Sequence, residues 1–318
     1  MVFGIYFINR NYLANEKIIR FFAFICYSYL GFVFLLFSFV LFYDLISGIF
    51  NYLHLNLPYN KVFVYVLLFA ILIFIYGYFE ANNISIKHIY INSSKLNRDI
   101  KIVYLSDIHL GITSLKGRVR KLIKQLKMIN PDVLILGGDF VDGRHDNINE
   151  YINYFKNINI KYGKYAILGN HEYYAGRNYS EKIIKKAGFI LLNNESIVMR
   201  DLNLCITGIE DIDSDQAKEL NLLRNNHNNK FFNIYVKHRP VVNPNALDYF
   251  DLQLSGHTHN GQIFPFGILI KLFYKYSSGL YSLNDNSFIY VSNGVFTWGP
   301  PIRALAKPEI SLMTIYKK

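Results

Sequence analysis

The sequence predicts a layered α/β domain carried behind two membrane-spanning helices. Two stretches near the N-terminus, Phe21 to Tyr43 and Val62 to Phe79, are apolar and hold no formal charge. After residue 100, short β-type runs alternate with helix-type runs, the pattern of layered sheet architecture. Five of the β-type runs end in Asp, Asn or His, at the position where such folds bind ligands, just beyond the carboxyl ends of strands.

The two apolar stretches, 23 and 18 residues long, would form helices of roughly 34 and 27 Å, close to a hydrocarbon core of about 30 Å. They account for a hydrophobic fraction of 52% and a positive mean hydropathy of +0.14 in a chain of 318 residues, above the roughly 45–50% of soluble domains. A cleaved signal peptide would have a shorter apolar region followed by a small-residue cleavage site, and the first stretch has neither. Residues 1–80 therefore read as a membrane anchor with spans at about 21–43 and 62–79, and residues 81–318 as the domain that carries the chemistry.

Flanking charge sets the orientation. Arg10, Lys17 and Arg20 precede the first span, only Lys61 lies between the spans, and Lys87, Lys95, Arg98 and Lys101 follow the second. By the positive-inside rule both ends face the cytosol, which predicts a multi-pass protein of the cell membrane with a cytoplasmic catalytic domain. Of the net charge of +11, about +10 belongs to residues 81–318. Such a surface suits phosphate esters, nucleic acid or an anionic leaflet and cannot choose among them. Cys26, within the first span, and Cys205, in an expected strand, are poorly placed to pair, in keeping with a reducing compartment.

Partial alternation from Ile84 to Ile91 marks a first strand, and Lys101 to Leu105 a buried one. A helix is expected from about Leu115 to Met128, where Val119, Leu122, Ile123 and Leu126 fall at i, i+3, i+4 and i+7. Its opposite face carries Arg118, Arg120, Lys121, Lys124 and Lys127, read either as solvated surface or as a contact for acidic headgroups. Further strands are expected at Val133–Leu136, Tyr165–Leu168, Ile234–Lys237 and Leu252–Leu254.

The strand ends deliver Asp107-x-His109, Gly138-Asp139-x-x-Asp142, Gly169-Asn170-His171-Glu172, His238 and Gly256-His257-x-His259. On an extended chain residues i and i+2 share a side, so Asp107 and His109 can offer an oxygen and a nitrogen to one ion. Five of the nine histidines sit in these motifs. Glycines before three of the clusters permit tight turns and close backbone approach.

In order and spacing, this series resembles the motifs of the calcineurin-like metallophosphoesterases, over roughly residues 85–318. The context around it, including Tyr76-Gly77-Tyr78-Phe79, Ser292-Asn293-Gly294-Val295, Pro301-Ile302-Arg303 and Pro308-Glu309-Ile310, is similar to the bacterial membrane-associated subgroup, one member of which is described as a lipid-sugar-nucleotide phosphodiesterase. Asn260 stands where that pattern would have glycine. The resemblance implies an α/β/β/α-type sandwich in which Asp107, His109 and His259 hold one metal ion, Asn170, His238 and His257 hold a second, and Asp139 bridges them. Carboxylate, imidazole and amide ligands suit divalent or trivalent Mn, Fe or Zn, and the lack of a cysteine ligand argues against a closed structural zinc site. Two such ions about 3.5–4 Å apart can activate a bridging hydroxide and neutralise charge on attacking and leaving oxygens.

His171 is the candidate to protonate or stabilise the leaving oxygen, since it follows the ligand Asn170 directly. Asp142 and Glu172 are expected to accept N–H groups from ligand histidines, and Arg144 and Arg303 are candidate phosphate clamps. The segment Ile263–Ile270, followed by Lys271-Leu272-Phe273-Tyr274-Lys275-Tyr276, is unusually apolar for chain so close to metal ligands. It reads either as buried against the sheet or, with Trp298, as an apolar lip facing the bilayer that admits a lipid-linked phosphate ester. The expected activity is hydrolysis of a phosphoester or pyrophosphate, with membrane lipids as partners. The alternatives are a nucleotide or nucleic-acid phosphodiesterase, although nothing resembles a dedicated nucleic-acid-binding module, and a non-catalytic membrane scaffold that keeps the fold.

Overall fold

The computed structural model describes residues 16–54, 59–144, 148–210 and 215–318. Arg10 and His145 lie outside them. Two apolar helices, α1 (Glu16–Tyr52) and α2 (Tyr59–Ala81), precede the domain and are long and apolar enough to cross a membrane. At 37 residues α1 is about 55 Å long, well beyond a hydrocarbon core of about 30 Å.

Two six-stranded sheets form the domain. The first orders β1 (Ser85–Ser93), β14 (Glu309–Lys317), β2 (Ile100–Leu105), β4 (Val133–Gly137), β6 (Lys164–Ile167) and β7 (Ile190–Leu191). From β2 to β7 it is parallel, whereas β14 runs antiparallel to β2 and parallel to β1 from Ser85↔Glu309 to Ser93↔Lys317. The second orders β12 (Gly279–Ser282), β13 (Phe288–Val291), β11 (Leu252–Ser255), β10 (Phe232–Val236), β9 (Leu204–Gly208) and β8 (Glu195–Met199), parallel except at its two edges. A short pair, β3 (Leu110–Gly111) and β5 (Val141–Asp142), lies apart from both.

The sheets pack face to face. Ile102, Tyr104 and Ile135 of the first share a core with Ile206, Ile234 and Leu254 of the second, and burial of such runs on both faces explains why they read as continuous apolar stretches. Helices α3 (Lys116–Ile129), α4 (Ile148–Lys156) and α6 (Arg177–Lys186) cover the first sheet's outer face. The second sheet is covered by α7 (Gln216–Asn226) and the 3₁₀ turn Pro244–Tyr249. The result is the expected α/β/β/α sandwich behind two apolar helices.

Helix α3 buries Val119, Leu122, Ile123 and Leu126, the stripe its periodicity predicts, and ends at Asn130 in the left-handed conformation. Its basic face is divided. Arg118 donates to the Ala81 carbonyl at 2.7 Å and lies over the Phe296 ring, while Lys121 reaches the Asn82 carbonyl at 3.3 Å. Two of the five cations therefore brace the end of α2, where exposed carbonyls concentrate partial negative charge.

The apolar helices are docked on the domain. Leu35 packs with Ile263, Ile302 and Ala304, joined by Phe34, Ile73, Phe74 and Tyr78. Gly31 and Gly77 permit this approach: a Cβ at Gly31 would stand 2.9 Å from the Pro300 side chain, and one at Gly77 3.1 Å from the Arg303 carbonyl. The Arg303 amide donates to the Gly77 carbonyl at 2.9 Å. At the other end of the contact, Arg20 donates to the carbonyl of Ser114.

Candidate metal centre

The motif residues leave the carboxyl ends of β2, β4 and β6 in one sheet and β10 and β11 in the other, so the sandwich brings them to one edge. Ligand-competent atoms of Asp107, His109 and His259 lie within 4.8 Å of one another, as do those of Asp139, His238 and His257. The Nε2 atoms of His109 and His259 are 3.0 Å apart, and Asp107 Oδ1 is 3.4 Å from His259 Nε2. Asp139 stands between the groups, with Oδ2 at 3.1 Å from His238 Nε2 and 3.8 Å from His109 Nε2. Asn170 opens helix α5 (Asn170–Ala175), is buried, and lines the same cavity as Asp139, His257 and His259. Its Oδ1 has no hydrogen-bond partner, a state that costs free energy unless something accepts its lone pairs.

The backbone around these residues is bent to the task. Asp107, His109, Asp139, His257 and His259 all have φ between 47° and 71°. This left-handed region is uncommon for residues with a Cβ, and such strain clusters at functional sites. A network of buried donors holds it. Glu172 accepts the amides of Asp139 and Val141 at 2.9 Å and of Gly169 at 2.7 Å. His238 Nδ1 faces the Gly137 carbonyl at 2.8 Å, which makes Nδ1 the donor and leaves Nε2 an acceptor for a cation. Asp107 takes the His257 amide at 3.1 Å and the Ser106 hydroxyl.

Electrostatics follow from burial and crowding. Burial lowers His109, His259 and His257, the last to about 3 with help from neighbouring His238, so these imidazoles are neutral and able to donate lone pairs. Burial raises Asp107, with His238 opposing. Burial also works to raise Asp139, but His238, His109 and His171 together outweigh it and hold its carboxyl well below the ordinary range. For Glu172 burial wins, with the charge of Asp139 adding to it, against the Val141 and Gly169 amides. A neutral-imidazole, carboxylate and amide-oxygen set facing inward fits a hard or borderline divalent cation.

His171 lies at the same edge without joining either trio. Its Nδ1 is 3.0 Å from Asp142 Oδ1, and its ring meets Trp298 edge-on with centroids 5.8 Å apart. Burial pulls its pKa down, but the Asp142 hydrogen bond and the charge of Asp139 pull harder, and the net shift is upward.

Three expectations change. Asp142 serves His171 rather than a ligand histidine, and Glu172 binds backbone amides and no histidine. Arg303 is fully buried and spends its guanidinium on the carbonyls of Asn293 at 2.7 Å, Ala306 at 3.0 Å and Phe296, with Nη2 3.0 Å from His259 Nδ1. It braces His259, a candidate ligand, and cannot also clamp a phosphate. Arg144 donates to the Ala175 carbonyl at 3.2 Å and covers the Tyr179 ring.

Beside the metal-ligand cluster opens a cavity of about 420 Å³. Asp139, Asn170, His171, His257 and His259 form one wall, and Phe34, Ile263, Phe266, Ile270 and Trp298 another. Sequence reasoning missed Phe34, which belongs to α1, and Gln262, whose amide ties the 298–300 segment through the Trp298 amide at 2.8 Å and carbonyl at 2.9 Å. No local signal in the apolar stretch singles out Phe34.

The profile of the calcineurin-like phosphoesterase family matches residues 100–261. A metallophosphoesterase of Aquifex aeolicus is 35% identical over 258 residues, covering 78% of this chain and 98% of that protein. One from Campylobacter jejuni is 35% identical over 242 residues, 73% of this chain and 63% of that one. A Danio rerio protein named a transmembrane protein with metallophosphoesterase domain is 28% identical over 227 residues, covering 67% and 52%. With its motif residues gathered at one edge of an α/β/β/α sandwich and a relative matched over nearly its whole length, the chain belongs to the calcineurin-like phosphoesterase family.

Proposed function

We propose that the protein is a membrane-anchored phosphohydrolase, dependent on two metal ions, that cleaves a phosphoester or pyrophosphate bond in a substrate with an apolar, lipid-type moiety. Asp107, His109 and His259 would hold one ion, Asn170, His238 and His257 the other, and Asp139 would serve both. When bound, such ions supply Lewis acidity and charge neutralisation at the phosphoryl group. Manganese, iron and zinc all suit the ligand set.

The protein's own groups supply the rest. His171 faces the cavity with its Nδ1 against Asp142, so Asp142 fixes the ring and raises its proton affinity, and Nε2 is the atom that carries a proton toward the departing oxygen. Glu172 holds the Asp139 and Gly169 turns in register. The apolar wall excludes water and accepts a hydrocarbon portion of the substrate.

The observation that carries the substrate reading is the cavity itself, whose metal-side wall faces a wall of five apolar side chains, one of them from α1. The basic domain surface favours a nucleotide or nucleic-acid diester instead. Full-length protein in lipid nanodiscs, supplied with Mn²⁺, separates the two. kcat/KM should rise with acyl-chain length across a series of phosphodiesters sharing one leaving group, and mononucleotide diesters should be poor. Preference for the nucleotides would reverse the assignment, and no turnover with any of the three metals would favour a scaffold.

A further inference from the structure

Helix α8 (Phe266–Phe273) reads FGILIKLF, and none of its residues is buried. Ile268, Leu269, Leu272 and Phe273 are 55%, 45%, 76% and 81% exposed. A helix that is apolar around most of its circumference belongs in a protein core or in lipid, and α8 is not in the core.

Its neighbour indicates what covers it. Phe266 meets Phe34 of α1 edge-on, with ring centroids 6.2 Å apart. Phe34 lies 13 residues past Phe21, about 20 Å along the helix axis. Between them Phe21, Phe22, Ile25, Tyr29 and Val33 are 61%, 54%, 45%, 56% and 39% exposed. If the bilayer began at Phe34, this row would stand in water. If it begins near Tyr29, α8, level with Phe34 five residues further on, lies about 8 Å below the surface, within the roughly 5–10 Å at which interfacial helices sit. The second arrangement withdraws the exposed face of α8 and the Tyr29–Val33 part of the row from water, at roughly 25 cal/mol per Å².

We propose that α8 is seated in the leaflet beside α1, so that the lipid bilayer lies against the side of the cavity that Phe34, Phe266 and Ile270 line. The placement rests on reading α1 and α2 as membrane spans. Lys271 and Lys275, at the end of α8 and just beyond it and both exposed, then fall where cationic side chains anchor at headgroups. A substrate held in that leaflet would approach sideways, along α8, without leaving the membrane.

The chain has one tryptophan, which makes single-site fluorescence reporters simple to build. In a Trp298→Phe background, Leu272→Trp places the reporter on α8, Phe42→Trp on α1, and Met128→Trp on α3. Full-length protein is reconstituted in phosphatidylcholine vesicles with and without acyl-brominated phosphatidylcholine. The expected result is loss of emission from the Leu272→Trp and Phe42→Trp reporters with none from Met128→Trp. Quenching at Phe42→Trp alone would show a membrane-spanning α1 with α8 outside the bilayer and would overturn the proposal. Quenching at neither site would remove the membrane reading as well, and equal quenching at all three would mean unspecific adsorption and overturn it too.

Discussion

The left-handed turns at Asp107, His109, Asp139, His257 and His259 show why residue type was readable in advance and residue role was not. Ligand-type side chains at strand ends stand contiguous in the sequence, so their chemistry is visible there. Arg303 shows the limit: a guanidinium suits a phosphate or a set of carbonyls equally well, and only the fold reveals that Asn293, Phe296 and Ala306 occupy it. The His171–Asp142 pair gives a test with a definite sign. Asp142 helps hold the His171 pKa above its ordinary 6.5 against burial, with Asp139 and Glu172 pulling the same way, so Asp142→Asn removes part of that pull and His171 loses its proton at lower pH. The alkaline limb of the kcat profile should move to lower pH, and a limb that stays in place would remove His171 as the acid. The intact pair stabilises the fold below pH 6.5 and ceases to do so as pH rises through the raised value. His171→Ala should cost about 10²- to 10⁴-fold in kcat, the usual worth of a positioned acid, measured at saturating substrate.

At the scale of elements, the local pattern found α3 and the strands β1, β2, β4, β6, β10 and β11, half of the sandwich. It did not find the β1–β14 pairing, because a contact between residues 85–93 and 309–317 leaves no local trace in either strand. Nor did it divide α1. The expected span of 21–43 is uniformly apolar, yet one side of that stretch packs on the domain through Gly31, Phe34 and Leu35 while another remains exposed. Hydrophobicity cannot distinguish a protein neighbour from a lipid neighbour. Gly31→Leu tests the packed side. Its Cβ alone would stand 2.9 Å from the Pro300 side chain, and overpacking of this kind costs about 1–3 kcal/mol. The thermal midpoint in detergent should fall and protease should cut more readily between α2 and β1; an unchanged midpoint would mean that the helices sit loosely.

Across the whole molecule, two sheets and two apolar helices converge on one edge where several carboxylates and imidazoles lie buried within a few ångströms of one another. That arrangement predicts a large effect of metal removal. A ligand at 100 times its Kd stabilises the native state by about 2.7 kcal/mol, so chelation of metal-loaded protein should lower the melting midpoint by a corresponding amount, and Asp139→Asn should abolish most of the difference. Equal midpoints with and without chelator would argue that the cluster binds no cation. Site location was legible because strand-end chemistry and sheet architecture are linked, whereas the order of the layers came from the family resemblance alone. The cavity's apolar wall was only half legible, because it draws on residues 34, 263–270 and 298, which meet only when the helices close on the sandwich.

The hydrogen bonds from the Arg303 amide to Gly77 and from Arg118 to Ala81 bear on how this protein can be handled. Trimming the polypeptide after the second helix, the ordinary route to a water-soluble fragment, would strip both donors of their acceptors. It would also uncover Ile263, Ile302 and Ala304 and remove the Phe34 ring that lines the cavity beside the candidate metal centre. A sluggish or aggregating fragment would then reflect the cut, and catalytic constants are best taken from the uncut chain.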